Sequence, residues 1–402
     1  MTHEDSTATK GRGELPFLNL PVVNPGGGFA LLDGVRILDL TTSIAGPYAT
    51  MLLSDFGAEV IKVERPEGDD ARSWGPPFLE SGSLWFSSVN RNKKSVVIDT
   101  ASSEGRDTLR SLVATVDVVV TNQPVAVQRK LGLDYESLRK IREDLVFTSI
   151  TGFGLSGSRS GLTCYDLIAE GYSGIMDVTG EAGRPPQKIG APAADMLAGQ
   201  DAAMATLAAL FDRQRSGRGR LIDIALVESM TRFLSCRISS YLGSGEIPTR
   251  SGGTDSVIAI YQSFDTADLP MTLGLGNNGI WSRFWKAVDE PEYGDREGFE
   301  TNAARREQRE AIVGRIQSIL KTRGRDDWLT VFAKARVPAG PIYSIDEVAA
   351  DTALQERGLF FALADGDQLV PQIGLGIHID GQPSRPRSAP PFLGQHSDDV
   401  LE

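Results

Sequence analysis

Cysteine and histidine are both scarce in this chain. Its 402 residues include two cysteines, Cys164 and Cys236, and three histidines, His3, His378 and His396. Neither cysteine belongs to a CxxC pair, which argues against a disulfide framework and a structural zinc site. One histidine lies near the start and two near the end, so a histidine metal cluster or a Ser-His-Asp triad has little material. No run of eighteen or more apolar residues occurs, so no membrane span is expected. Positive charge is also short: 41 Lys and Arg stand against 53 Asp and Glu, a formal net charge of -12. That balance argues against nucleic acid as the main partner, because duplex binding depends on neutralising phosphates. A small anionic ligand remains open. The stretch Met1 to Gly28 is polar and rich in Gly and Pro, without the basic start, apolar middle and cleavage site of a secretory signal. It reads as a mobile tail, and the protein as cytoplasmic.

What is present fits a globular protein of two domains, with 41% hydrophobic and 23% charged residues. From residue 35 short apolar runs alternate with helical patterns. Val35–Leu40, Glu59–Glu64, Ser95–Asp99, Asp117–Thr121 and Leu145–Ile150 read as strands, with helices between them. A long Ala-rich helix is expected from Met196 to Arg215, closed by Ser216-Gly217, and then a strand at Arg220–Ala225. This alternation predicts a doubly wound, mostly parallel sheet, a Rossmann-like large domain, and a smaller α+β domain beyond it. The boundaries expected are a tail at 1–29, a large domain at 30–225, a linker helix and small domain at 226–335, and a return to the large domain at 336–402. Basic residues gather at Lys62, Arg65, Arg72, Arg91, Lys93 and Lys94, and again at Arg129, Lys130, Arg139 and Lys140. Their ordinary reading is a solvated face on an acidic protein.

Gly274-Leu-Gly276-Asn-Asn-Gly279 fits GxGxxG and follows a possible strand. A dinucleotide site also needs a second parallel strand ending in an acid about twenty residues on. The segment Asp289 to Asn302 is polar and offers no such strand, so a strand-to-helix turn is the better reading. Asp195, in Ala193-Ala-Asp-Met-Leu-Ala-Gly199, stands before the long helix and suits an N-cap. A helix N-terminus favours an anion, so the carboxylate there is expected to be ionised and usable as a nucleophile. Asp166, in Cys164-Tyr-Asp-Leu-Ile-Ala-Glu170, suits the cap of its own helix. If both acids face one cleft, their charges couple. Gly252 and Gly253 sit in a loop where backbone could approach a ligand, or in an ordinary turn. Trp74 suits either a core or a pocket wall.

At these residues the sequence resembles the class III (CaiB/BaiF-type) CoA-transferases, and among them the formyl-CoA transferase-like members. The motifs run in order from about Leu31 to the C-terminus. They are Gly34-Val-Arg-Ile-Leu-Asp-Leu40 with Ala45-Gly-Pro47, Gly57 to Pro66 with Gly68-Asp69, and Asn90-Arg-Asn-Lys-Lys-Ser95. Leu131-Gly-Leu-Asp134, Gly152-Phe-Gly154, Tyr165-Asp166, Ser173-Gly174, Gly217-Arg-Gly219 and Leu393-Gly-Gln-His396 follow. The resemblance implies an aspartyl nucleophile at Asp195, supported by Asp166. It implies CoA contacts at Arg65, the Ile98 backbone, Asn122, Gln123 and Lys130, with Ile44 and Ala45 beside the thioester. Gln123 replaces a usual aromatic, Lys130 a usual arginine, and Ala101 a frequent lysine. A lysine is a point charge where an arginine is a fork. The racemase branch of the family carries a histidine just before the upstream acid. Tyr165 stands there, a poor base at neutral pH with a reference pKa of about 10.

The expectation is therefore transfer of CoA from an acyl-CoA donor to a small carboxylic acid, through an anhydride and an aspartyl-CoA thioester. Coenzyme A would be a substrate, with no permanently bound cofactor or metal. Backbone N–H groups near Ala45 or Gly252-Gly253 would stabilise the oxyanions, and the chain would form an interlocked homodimer. An α-methylacyl-CoA racemase, a non-catalytic CoA-binding subunit of a heteromer and, more distantly, a nicotinamide dehydrogenase stay open as alternatives.

Overall fold

Strands covered on both faces carry mostly apolar runs, and this chain supplies six parallel strands, of which the last is largely exposed. They are β1 (Arg36–Leu40), β2 (Glu59–Glu64), β3 (Lys93–Val97), β4 (Val118–Thr121), β5 (Val146–Thr151) and β6 (Arg220–Ala225). In the computed structural model, which describes residues 15–401, they form one parallel sheet in the order β3-β2-β1-β4-β5-β6. All five pairings are parallel. This is the doubly wound order, whose direction of travel reverses between β1 and β4. Leu38, Ile61, Val96, Val119 and Phe147 pack with Leu109, Leu112 and Leu138 in the core on one face of the sheet.

Helix α1 (Ala45–Asp55) follows β1 directly, and α2 (Asp166–Ser173), α3 (Ala193–Ser216) and α4 (Leu226–Phe233) follow later. The buried face of α3 is made of Ala194, Ala198, Gly199, Ala202, Ala203 and Thr206. Such small residues let helices approach closely. A Cβ at Gly199 would lie 2.5 Å from the Ala45 carbonyl oxygen, so α1 and α3 meet at their N-terminal turns only because that position is glycine.

The chain divides into two units. The first gathers the chain up to Ser173, Gly190–Phe233 and the chain from Ala349 onward; the second holds Gly174–Ile189 and Leu234–Val348. Gly174–Ile189, assigned by sequence to the large domain, thus belongs to the second unit. The first unit holds the six-stranded sheet. Residues 15–29 depart from the expected tail: Val22 and Val23 pair in parallel with Ala362 and Leu363. The earlier part of that tail and His3 lie outside the described residues. At the far edge the C-terminal segment lies along β3, where His396 donates to the Ser95 carbonyl at 2.9 Å.

The second unit carries a three-stranded antiparallel sheet formed by Tyr261–Phe264, Met271–Gly274 and Ala339–Pro341. Its core is aromatic, built from Trp281, Phe284, Trp285, Phe299, Trp328 and Phe332. The GxGxxG segment lies here. Its strand pairs antiparallel on both sides, so no βαβ unit exists around it. Asn277 caps the following helix through its side chain, accepting from Ile280 N–H at 2.9 Å.

Three members of the first basic cluster are not on a solvated face, whereas Arg65 in it, and Arg129, Lys130, Arg139 and Lys140 in the second, are exposed. Lys62 and Lys93 are fully buried and Arg91 nearly so. Lys62 Nζ pairs with Asp69 at 2.8 Å, Lys93 with Asp39 at 3.0 Å and Arg91 with Asp55 at 2.6 Å. Sequence spacing could not reveal this, because the partners stand 7, 54 and 36 positions away.

Candidate active site

In doubly wound sheets, ligands bind beyond the carboxyl ends of the strands where the order reverses. Here that crevice lies between the loops after β1 and β4. Asn122 bridges them, accepting from Thr42 N–H at 3.0 Å and donating to the Thr42 carbonyl at 2.7 Å. The β1 loop then opens α1 without any side-chain cap. Among the described residues nothing accepts the N–H of Ala45 or Gly46. Two bare amides at a helix start form a ready anion site.

Asp195 lines a cavity of about 220 Å³ in this crevice, together with Thr42, Ser43, Ala45, Asn122 and Tyr165. It is not the N-cap. Helix α3 begins at Ala193, two residues earlier, so Asp195 occupies the first turn and its carboxylate takes no capping bond. The cap comes from elsewhere. Asp166 Oδ1 accepts from Ala194 N–H at 2.8 Å and Asp195 N–H at 3.2 Å. Asp166 therefore caps α3 rather than its own helix, and frees the Asp195 side chain to face the cavity.

The expected full ionisation of Asp195 is also corrected. Burial, reinforced by the charge of Asp166, pushes its carboxyl up to about 7. At neutral pH such a group is split between acid and carboxylate, and its ionised form is more basic than an ordinary aspartate. Cys164 lines the same cavity. Burial, and then Asp195, push its thiol up to about 11, so it stays protonated and unreactive at neutral pH.

A second cavity of about 370 Å³ shares Asn122, Pro124, Thr151, Gly152, Thr163 and Cys164 with the first, so the two form one groove leading away from Asp195. Gln123 and Arg129 line it. Lys130, the residue expected to bind CoA, is exposed on the same helix and is not among the lining residues. Its neighbour Arg129, which sequence singled out only as part of a basic cluster, is the cation in the groove. Arg65 lies in a half-exposed ion pair with Asp70, a residue of the first cavity wall. Ile98 has its side chain in the core and its N–H committed to the Glu64 carbonyl at 2.9 Å, which leaves only the carbonyl for a ligand. Ile44 faces a separate apolar cavity of about 290 Å³ with Tyr48, Trp85 and Met196, whereas Ala45 faces Asp195.

In the second unit, Gly252 and Gly253 border a cavity of about 780 Å³ with Tyr261 and Thr272. The Gly252 N–H is already bonded to the Gly180 carbonyl at 2.8 Å. Gly252 is therefore not the oxyanion donor expected from sequence.

A buried carboxyl group sharing a cavity with an unpartnered helix amide, on a doubly wound α/β sheet, is an arrangement suited to acyl chemistry. The chain belongs to CoA-transferase family III, whose family model matches residues 32–397. It is 39% identical over 378 residues to the succinate–glutarate CoA-transferase of Agrobacterium fabrum, covering 92% of this chain and 94% of that protein. It is 36% identical to the human succinyl-CoA:glutarate CoA-transferase, over 92% of this chain and 85% of that one. The crystal structure of a CAIB/BAIF family protein from Brucella suis, 38% identical, matches with a TM-score of 0.82 over 94% of this chain and all of its own. The protein is thus a class III CoA-transferase.

Proposed function

We propose that Asp195 carries CoA between a short dicarboxylic acyl-CoA, such as succinyl-CoA, and a small carboxylic acid acceptor. The observation that carries this reading is the Asp195 side chain sharing its cavity with Ala45, which opens α1 without a side-chain cap. The donor class follows from relatives named for succinate and glutarate. Asp195 attacks the thioester carbonyl and expels CoA thiolate, leaving a mixed anhydride. The thiolate attacks the aspartyl carbonyl, releasing the donor acid and leaving an aspartyl-CoA thioester. The acceptor carboxylate attacks that carbonyl and expels the thiolate again, and the thiolate takes the acceptor's acyl group from the new anhydride. Every bond made to Asp195 is broken by the end, so the enzyme is regenerated.

Each attack places negative charge on a carbonyl oxygen, and fixed N–H donors stabilise such charge without reorganising. Ala45 and Gly46 supply them. Arg129 and Arg65 hold the nucleotide end of CoA, and Asn122, Gln123 and the Ile98 carbonyl border it. Lys130 adds only long-range charge. The first unit is the CoA-binding domain of a cytoplasmic, interlocked homodimer. Apolar side chains left exposed at Leu167, Ile168 and Tyr172 on α2, and Met204 and Phe211 on α3, support that assembly.

The test is intact-mass analysis after mixing with succinyl-CoA. Wild type gains a covalent CoA adduct, and Asp195→Ala does not. Undiminished transfer by Asp195→Ala refutes the scheme.

A further inference from the structure

The buried Lys62–Asp69 ion pair lies outside the reacting groups, and no step above uses it. Both side chains are fully inaccessible, with Nζ and Oδ2 at 2.8 Å. A buried ion pair is a poor way to hold a fold together, since well-packed apolar residues of similar size often do as well or better. What an apolar pair cannot do is bond to backbone. Lys62 Nζ donates to the Thr41 carbonyl at 2.8 Å, and Asp69 Oδ1 accepts from Ser43 N–H at 3.0 Å. Both bonds hold one short loop, 41–44, which joins β1 to α1.

That loop needs holding. Ser43 adopts φ 69°, a left-handed conformation that costs a non-glycine residue energy and persists only where its surroundings enforce it. The loop is also gripped at its first residue, where Asp39 Oδ1 accepts from Thr41 N–H at 3.0 Å, and at Thr42 by Asn122. The residues immediately after it are Ala45 and Gly46, whose amides stand uncapped at the start of α1. A loop shift of even 1 Å would move those donors off the oxyanion that forms at Asp195.

We infer that Lys62 and Asp69 are positioning residues for acyl transfer, which fix the loop 41–44 so that the α1 amides are held in place beside Asp195. The inference rests on the assignment of Asp195 as nucleophile. Groups acting in this way affect the chemical step more than the binding of CoA, because the groove beyond Asn122 is built from other elements.

The experiment compares Asp69→Asn and the double variant Lys62→Met/Asp69→Leu with wild type. Three quantities are measured: the thermal midpoint, the Kd for free CoA, and the single-turnover rate of covalent adduct formation from succinyl-CoA. Asp69→Asn keeps an oxygen that can accept from Ser43 and loses the charge that holds Lys62. The double variant loses both backbone bonds. Expected adduct rates fall about tenfold for Asp69→Asn and about a hundredfold for the double variant, with Kd for CoA changed less than about threefold. If the double variant does not fold, the isosteric Asp69→Asn protein decides alone. An adduct rate within twofold of wild type, or a rate loss matched by an equal loss of CoA affinity, overturns the inference. Absence of an adduct on wild type itself defeats the assignment of Asp195 instead, so the two failures are distinct.

Discussion

Asp166→Asn is the perturbation that tests the electrostatics of the site most directly. The Asp195 carboxyl rises from an ordinary 3.8 to about 7, with burial the larger cause and Asp166 the second. Asp166 is the smaller of the two causes, so removing its charge lowers the pKa by less than half of that rise. Asparagine retains an oxygen acceptor for the Ala194 and Asp195 N–H groups and removes the charge. In the proposed scheme the nucleophile is the ionised form, so adduct formation rises with pH through the pKa of Asp195. In kcat/KM, which reports the free enzyme, the ascending limb should centre near pH 7 in wild type and at lower pH in the variant. At pH 7 the ionised fraction would grow from about half toward completion, while each carboxylate becomes less basic. The neutral residue also removes a favourable anion from the start of α3, worth about 0.3–1 kcal/mol, so the thermal midpoint should fall by only a few degrees. A limb that stays in place or moves to higher pH refutes the coupling of the two acids.

Other outcomes follow from the same structure. Asp195→Asn should raise stability at pH 8 by roughly 1–3 kcal/mol after allowance for partial exposure, and should have little effect at pH 4. The sign follows from the raised pKa: the stability that the protonated acid provides is complete below 3.8 and lost as pH rises through about 7. Denaturant titration at the two pH values checks it. Gly199→Ala drives a Cβ to 2.5 Å from the Ala45 carbonyl. It should cost about 1–3 kcal/mol and slow adduct formation, read by urea melts and intact mass. Arg129→Ala should raise KM for the acyl-CoA about tenfold and Lys130→Ala less than threefold, in steady-state assays at fixed ionic strength. Lys93→Met leaves Asp39 buried without its cation and should destabilise by about 3–5 kcal/mol, seen as a lowered urea midpoint.

The sequence by itself determined the parallel α/β sheet, because apolar runs of strand length alternating with helical patterns have few other solutions. It also marked Asp195 and Asp166, through the order of the motifs, and it rejected the GxGxxG segment for want of a second parallel strand. Tertiary structure decided how these residues work. Asp195 sits inside the first turn of α3 because Asp166, 29 positions upstream, reaches across to cap that helix. A local pattern cannot show a cap supplied from another helix. The same holds for Lys62 and Lys93, whose burial depends on partners from other strands and loops, and for Val22 and Val23, which become a strand only against Ala362 and Leu363. Whether Arg129 or Lys130 faces the groove is a matter of helix rotation against the sheet, and adjacent basic residues look alike in sequence. Periodicity is a short-range property of the chain. The basicity of a carboxyl group is set by the charge and solvent around it, and those are brought together only by folding.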